Sequence, residues 1–253
     1  MSAALLARAP KSDGRLCILG AGKCNDVDLE QLAEVYAEIH LVDIDPPALA
    51  SAVARQEPEV RARLRPHVPV DLAGLTSKRT GKWQRKPPSA AELGAFESAT
   101  VAANVSRLPG PFDVVASACM LTQLSFAIRH SLGERHAMLG PIRSAVMVAH
   151  LRSLVALTQP GGSTLFACDA ASSTSYPALG TLPADADLNS VLRSVSDAGA
   201  GYSAANPKLI SDALRYHPEL SGQVSEPALL APWLWTGPLA RTYLVYALAF
   251  ERL

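Results

Sequence analysis

The residues best placed to do chemistry stand at the ends of apolar runs. Leu16 to Leu19 is an apolar run broken by Gly20-Ala21-Gly22, and Ile39 to Val42 is a second one closed by Asp43. Between them Leu29, Leu32, Ala33 and Tyr36 recur at helical spacing, with Asp28 in front to accept from the helix's first unpaired amides. The pattern is strand, glycine turn, helix, strand, acid. Glycines let a ligand approach the backbone, and a carboxylate at the end of the second strand can accept from both hydroxyls of a ribose. The unit predicts a nucleoside-containing ligand, although the tripeptide alone also fits a plain strand-to-helix turn.

Two further acids end apolar runs. Asp71 closes His67 to Val70, and Asp169 follows Leu165 to Cys168, where it would face the crevice in which open α/β sheets bind ligands. Each also fits a loop acid or a helix cap. Six histidines, His40, His67, His130, His136, His150 and His217, make no ligand-spaced pair with a nearby cysteine or carboxylate, so no metal site is expected. His150 has Val146 and Leu154 as helical neighbours and is expected to be packed in the core. The four cysteines, Cys17, Cys24, Cys119 and Cys168, form no C-x-x-C pair, which argues against a zinc or disulfide framework.

The elements that must position these groups follow from pattern and composition. A chain of 253 residues, 49% hydrophobic and 18% charged, is expected to form one large α/β domain over residues 1–253. The net charge of +0 gives no nucleic-acid footprint. The opening apolar run is too short for a signal peptide, and no stretch approaches the roughly 18 apolar residues of a membrane span. A cytoplasmic protein is the resulting expectation, with its oligomeric state open. Pro46 to Leu64 reads as a helix and His67 to Leu72 as a short strand. Residues 76–110 begin with Lys78, Arg79, Lys82, Arg85 and Lys86, which read as a solvated mobile loop, or as a site for an acidic group, with Trp83 a candidate contact residue. Ala90 to Val105 is expected to be helical. A helix after Gly140-Pro141 is stopped near Thr158 by Pro160-Gly161-Gly162, where two glycines permit the reversal into a strand. Residues 170–232 are too long for an ordinary connection and are expected to form a substrate cover, with helices near Leu188 to Val195 and Lys208 to Tyr216. Fourteen residues precede the first strand, which is expected to leave no room there for a helical cap. The end reads as an antiparallel hairpin, Trp233 to Thr236 and Arg241 to Glu251 about Gly237-Pro238. Its last strand is apolar on both faces and therefore central.

Several of these segments together resemble the class I S-adenosylmethionine-dependent methyltransferases. The stretch Arg15 to Asp45 resembles that family's motif I, Pro111 to Cys119 its fourth strand, Leu154 to Asp169 its P-G-G turn and fifth strand, and the terminal hairpin its distinguishing antiparallel insertion. The resemblance implies an α/β Rossmann-like fold: a seven-stranded sheet of order 3-2-1-4-5-7-6 with strand 7 antiparallel and helices on both faces. It implies S-adenosylmethionine as cofactor, with Gly20, Ala21, Gly22 and Asn25 in the turn, and Asp43 and Ile44 at the ribose. Asp71 and Leu72 would meet the adenine, and Ser117 and Ala118 would line the cleft. The family often carries an acid two residues before the first glycine. Ile18 stands there, so Asp26 or Asp28 would have to meet the methionine ammonium. Members that methylate amino groups on DNA and some proteins carry Asn or Asp, then Pro-Pro and an aromatic, after the fourth strand. Cys119-Met120-Leu121-Thr122-Gln123 departs from that and leans toward a small-molecule acceptor.

On this reading Asp169, His136 or His130 would take a proton from the acceptor, and Gln123 and Tyr176 would orient it. Two other readings remain open. A dinucleotide-binding oxidoreductase using NAD(P) would need a third glycine where Asn25 stands, and a non-catalytic S-adenosylmethionine-binding protein would account for the acid missing at Ile18.

Overall fold

The computed structural model describes residues 1–11, 13–202, 205–237 and 240–253. Its centre is an eight-stranded sheet of β1 (Gly14–Leu19), β2 (Tyr36–Val42), β3 (Leu64–His67), β4 (Phe112–Ala118), β5 (Thr158–Ser172), β6 (Ala228–Leu229), β7 (Trp233–Thr236) and β8 (Thr242–Glu251). The order is β3-β2-β1-β4-β5-β8-β6, with β7 also paired to β8. Strands β1 to β5 run parallel, and β8 runs antiparallel to β5, β6 and β7. This is the expected sheet with one difference. The strand expected beside the last one is split into β6 and β7, because Pro232 between them has no N–H to give to the ladder. Pro238 of the expected hairpin turn lies outside the described residues.

Alternate residues of the central strands feed two cores. Leu16, Ile18, Ile39, Leu41, Val114 and Ala116 face α1 (Ser2–Leu6), α2 (Leu29–Val35) and α3 (Pro46–Ala54). Cys17, Leu19, Val115, Phe166, Cys168 and Tyr246 face the other layer. That layer includes α6 (Ala90–Arg107), α8 (Leu139–Leu157), α9 (Leu188–Asp197) and α10 (Pro207–Tyr216). A sheet covered on both faces is what makes its middle strands read as unbroken apolar runs.

Four local expectations need correction. The helix expected over Pro46 to Leu64 is two, α3 and α4 (Pro58–Arg63), because Pro58 cannot continue the first and instead starts the second. The third strand ends at His67, before the Val68-Pro69 step, so Asp71 and Leu72 lie in the following loop. The basic stretch is a helix, α5 (Ser77–Arg85), capped by Thr76. Thr80 and Trp83, three residues apart, turn inward while the cations stay in water, and Trp83 is 3% exposed, edge-on to Phe96 at 5.3 Å. Finally, residues 170–232 carry core packing as well as a path around the cleft: Leu192, Val195, Ile210 and Leu214 are buried in the second core.

His150, on α8, is buried as expected, and it shares a 2.8 Å hydrogen bond between its Nε2 and Ser117 Oγ on β4. Burial drives its pKa from 6.5 down to about 4. Because the folded pKa lies below the unfolded one, the unfolded chain takes up the proton first, and stability falls as pH drops from about 6.5 toward about 4. Urea unfolding at about pH 7 and about pH 4.5 should show a loss of about 2 to 3 kcal/mol from this group. His150→Gln should lose correspondingly less on acidification; an unchanged acid loss would mean that His150 is not held neutral.

Candidate functional site

At the C-terminal edge of the parallel strands the chain leaves a cleft of about 520 Å³. Its floor is the turn after β1, where Gly20 and Ala21 donate to the carbonyl of Val42 at 2.9 and 3.1 Å. Gly20 has φ +76°, and a Cβ there would stand 2.2 Å from Met120 Cγ, so glycine is required on both counts. Gly22 N–H donates to Asp43 Oδ2 at 2.7 Å while Asp45 N–H donates to Oδ1 at 2.9 Å. Both carboxylate oxygens are thereby fixed, each retaining a lone pair for a ligand. Arg55 from the C-terminal end of α3 donates to the carbonyl of Lys23 and, at 3.4 Å, to Asn25 Oδ1, tying the rest of the loop down.

Asp26 lines the cleft, and burial raises its pKa, with a bond to its own backbone amide partly opposing the shift. Asp28 is spent as the cap of α2, accepting from Gln31 N–H. Of the two acids that could replace the one missing at Ile18, the fold brings Asp26 to the cleft.

The opposite wall starts at Cys119, which has φ +49° and turns β4 into α7 (Met120–Leu132). Cys119, Thr122, Gln123 and Phe126 recur at helical spacing along the cleft. Thr122 Oγ1–H donates to Asp169 Oδ1 at 2.8 Å. Asp169 is 9% exposed, and burial raises its carboxyl pKa despite that bond. Burial and the nearby Asp169 charge push the Cys119 thiol well up, so it is a neutral wall and not a thiolate. Tyr202, Trp233, Trp235, Arg241 and Tyr243 complete the far side.

The structure therefore brings Gly20, Ala21, Gly22, Asn25, Ala118, Gln123 and Asp169 to one cleft. Asp43 borders it through Gly22, and Ile44 beside it is 61% exposed. Ser117 lies buried beneath, bonded to His150. Asp71 Oδ1 accepts from Ala73 and Gly74 amides as a turn acid, and Leu72 is 3% exposed with its carbonyl accepting from Asn104. The last three expected residues, His130, His136 and Tyr176, also lie outside the lining. His130 is exposed in the last turn of α7, and Tyr176 packs against the second core. His136 accepts from Met138 N–H at Nδ1 and donates from Nε2 to the carbonyl of Trp83, which occupies both nitrogens. Thr122 and Phe126 could have been read from their helical spacing after Cys119; Tyr202, Trp233 and Tyr243 arrive from distant segments with no local signal.

No family model and no curated protein sequence matches the chain. Solved structures do. An S-adenosylmethionine-dependent methyltransferase from Methanosarcina mazei superposes with a TM-score of 0.51 at 10% identity, over 98% of this chain and 97% of that one. A protein solved in work on the conversion of a disulfide bond into a thioacetal group during echinomycin biosynthesis gives 0.50 at 13% identity, over 98% and 79%. The chain has the Rossmann-like fold of class I S-adenosylmethionine-dependent methyltransferases, as its sequence led one to expect.

A carboxyl whose pKa is raised by folding is penalised when ionised: stability falls as pH rises from the unfolded pKa through the folded one, and the penalty persists at neutral pH. Asp26→Asn should therefore raise the thermal midpoint at about pH 7 more than at about pH 3. An equal or opposite change at the two pH values would show that Asp26 is solvated in the free protein.

Proposed function

We propose that this chain is an S-adenosylmethionine-dependent methyltransferase acting on a small-molecule acceptor. One observation carries the reading: a glycine turn anchored to Asp43, a desolvated Asp26 and a desolvated Asp169 all front a single cleft. The residues fit the cofactor. Asp26 is a half-buried carboxylate suited to the methionine ammonium, and the free lone pairs of Asp43 suit the ribose hydroxyls. Ile44 presents an exposed apolar side chain on which an adenine can lie. A nicotinamide dinucleotide fits less well. Its pyrophosphate belongs on a helix N-terminus next to the glycines, whereas α2 begins only at Leu29 and its first amides are capped by the anionic Asp28.

The cofactor, when bound, supplies a methyl group already activated on a sulfonium. What the chain must add is alignment, which can supply several kcal/mol. Ala118 and the Gly20–Gly22 turn hold one side of the cleft and Gln123 orients the acceptor on the other. If the acceptor is a hydroxyl, Asp169 is the base, kept more basic by burial and held in place by Thr122. His136, with both nitrogens engaged, and the exposed His130 give way to Asp169 in this assignment, and Tyr202 takes the orienting place first given to Tyr176. The cleft volume and its aromatic rim suit a small acceptor rather than a polymer. Among the described residues no helix is long and apolar enough to cross a membrane.

Calorimetric titration tests the cofactor half. S-adenosylhomocysteine should bind and NAD should not. Asp43→Ala should weaken binding by about 1.5 to 3 kcal/mol, roughly ten- to over a hundredfold. Unchanged affinity would remove Asp43 from the ribose, and binding of NAD alone would replace this reading with the oxidoreductase one.

A further inference from the structure

The far wall of the cleft is built on the ladder that joins β5, β8 and β7. Asp169 on β5 lies opposite Val245 on β8, and Val245 lies opposite Trp233 on β7. Residues directly opposite one another in an antiparallel ladder project to the same face, so Asp169, Val245 and Trp233 form one row. Trp235 and Tyr243 face each other two residues further along and project to that face as well. All five line the cleft. The chain thus lays a carboxylate and three aromatic rings on one continuous surface, with the smaller Val245 between them.

Trp233 also packs on the first core, but among the described residues neither Trp235 nor Tyr243 packs into a core. These two rings lean on each other at 5.3 Å between centres with a 39° tilt. A Cβ on Gly237 would stand 2.7 Å from Tyr243 Cε2 and 2.9 Å from Trp235 Cζ3, so glycine there lets the backbone close against both rings. From α7, Phe126 lines the same cleft and is 49% exposed. Rings held at the edge of a site and unclaimed by the core favour a flat apolar guest. Neighbouring strands lie about 4.8 Å apart, which puts the backbone of Trp233 about 10 Å from that of Asp169. A single ring set at Asp169 covers Val245; a second ring is needed to reach the indoles.

We propose that the methyl acceptor is a phenol of at least two fused or joined rings, its hydroxyl at Asp169 and its body against Trp233, Trp235 and Tyr243. A phenol suits Asp169 better than an alkyl alcohol does, because its pKa of about 10 lies closer to that of a carboxylate. Asp169 takes the proton while the oxygen forms its bond to the methyl carbon and the carbon–sulfur bond breaks, leaving a neutral thioether. The reacting half of this assignment rests on the methyltransferase reading; the aromatic wall does not.

The test is calorimetry on the full chain with 2-naphthol, phenol and the saturated trans-2-decalol, and with S-adenosylhomocysteine titrated separately. 2-Naphthol should bind about tenfold or more tightly than either of the others. Trp235→Ala should weaken 2-naphthol about tenfold and Trp235→Phe should recover most of that loss. Asp169→Ala should weaken it by a similar factor while the preference over trans-2-decalol persists. A thermal melt of each variant shows that it is folded, and if Trp235→Ala is not, the comparison of 2-naphthol with trans-2-decalol on the unaltered chain carries the test. Equal affinity for those two, no binding of 2-naphthol, or unchanged affinity in folded Trp235→Ala or Asp169→Ala overturns the proposal. If S-adenosylhomocysteine fails to bind while the aromatic preference holds, the cofactor reading falls and the aromatic wall stands.

Discussion

The bond from Gly22 N–H to the Asp43 carboxylate joins the ends of the first two strands. At 2.7 Å it is a charge-assisted contact, worth about 1.5 to 3 kcal/mol for bonds of its kind. Its larger effect is geometric. With Gly20 and Ala21 already bonded to the carbonyl of Val42, the loop is drawn across the top of β2, and Lys23 to Asp26 are carried over the sheet edge instead of winding directly into α2. The cleft exists because that loop stands away from α7. Met120, packed where a Gly20 side chain would be, marks how closely the two walls approach at their base.

Behind the cleft the sheet is rigid because both faces are buried and its last strand is inserted rather than added. Strand β8 is paired along both edges, to β5 on one side and to β6 and β7 on the other, so the wall carrying Tyr243 and Val245 is fixed by ladders on two sides. The same burial sets the electrostatics. Asp26 and Asp169 are desolvated, His150 is kept neutral, and Cys119 and Cys168 are kept protonated, all chiefly by exclusion of water.

The parts legible in the sequence were those fixed by local patterns. The Gly20-Ala21-Gly22 turn and the doubly apolar β8 are backbone requirements that leave residue signatures, and each stands where it was expected; Gly161 and Gly162 instead fall within β5, which begins at Thr158, where the register against β4 shifts. Trp83 was not legible in the same way, because a helix with one buried face three residues wide in a run of cations has the composition of a loop. His136 looked free because its partner, the carbonyl of Trp83, is 53 residues away. His40 and His67 likewise meet at 2.9 Å only because β2 and β3 are adjacent, and Glu38, two residues before His40 on β2, completes that group. Contacts made by topology, the Phe126–Tyr202 ring pair among them, have no spacing by which a sequence could announce them.

The central claim is that one cleft, between the Gly20–Asp26 loop and the Thr122–Asp169 pair, receives S-adenosylmethionine. A crystal structure with S-adenosylhomocysteine tests it most directly. The account predicts the amino group at Asp26, the ribose hydroxyls on Asp43, the adenine along Ile44, and the sulfur facing the space bounded by Asp169, Gln123 and Tyr202. Density for the ligand elsewhere, or a sulfur remote from Asp169 and Gln123, would contradict it.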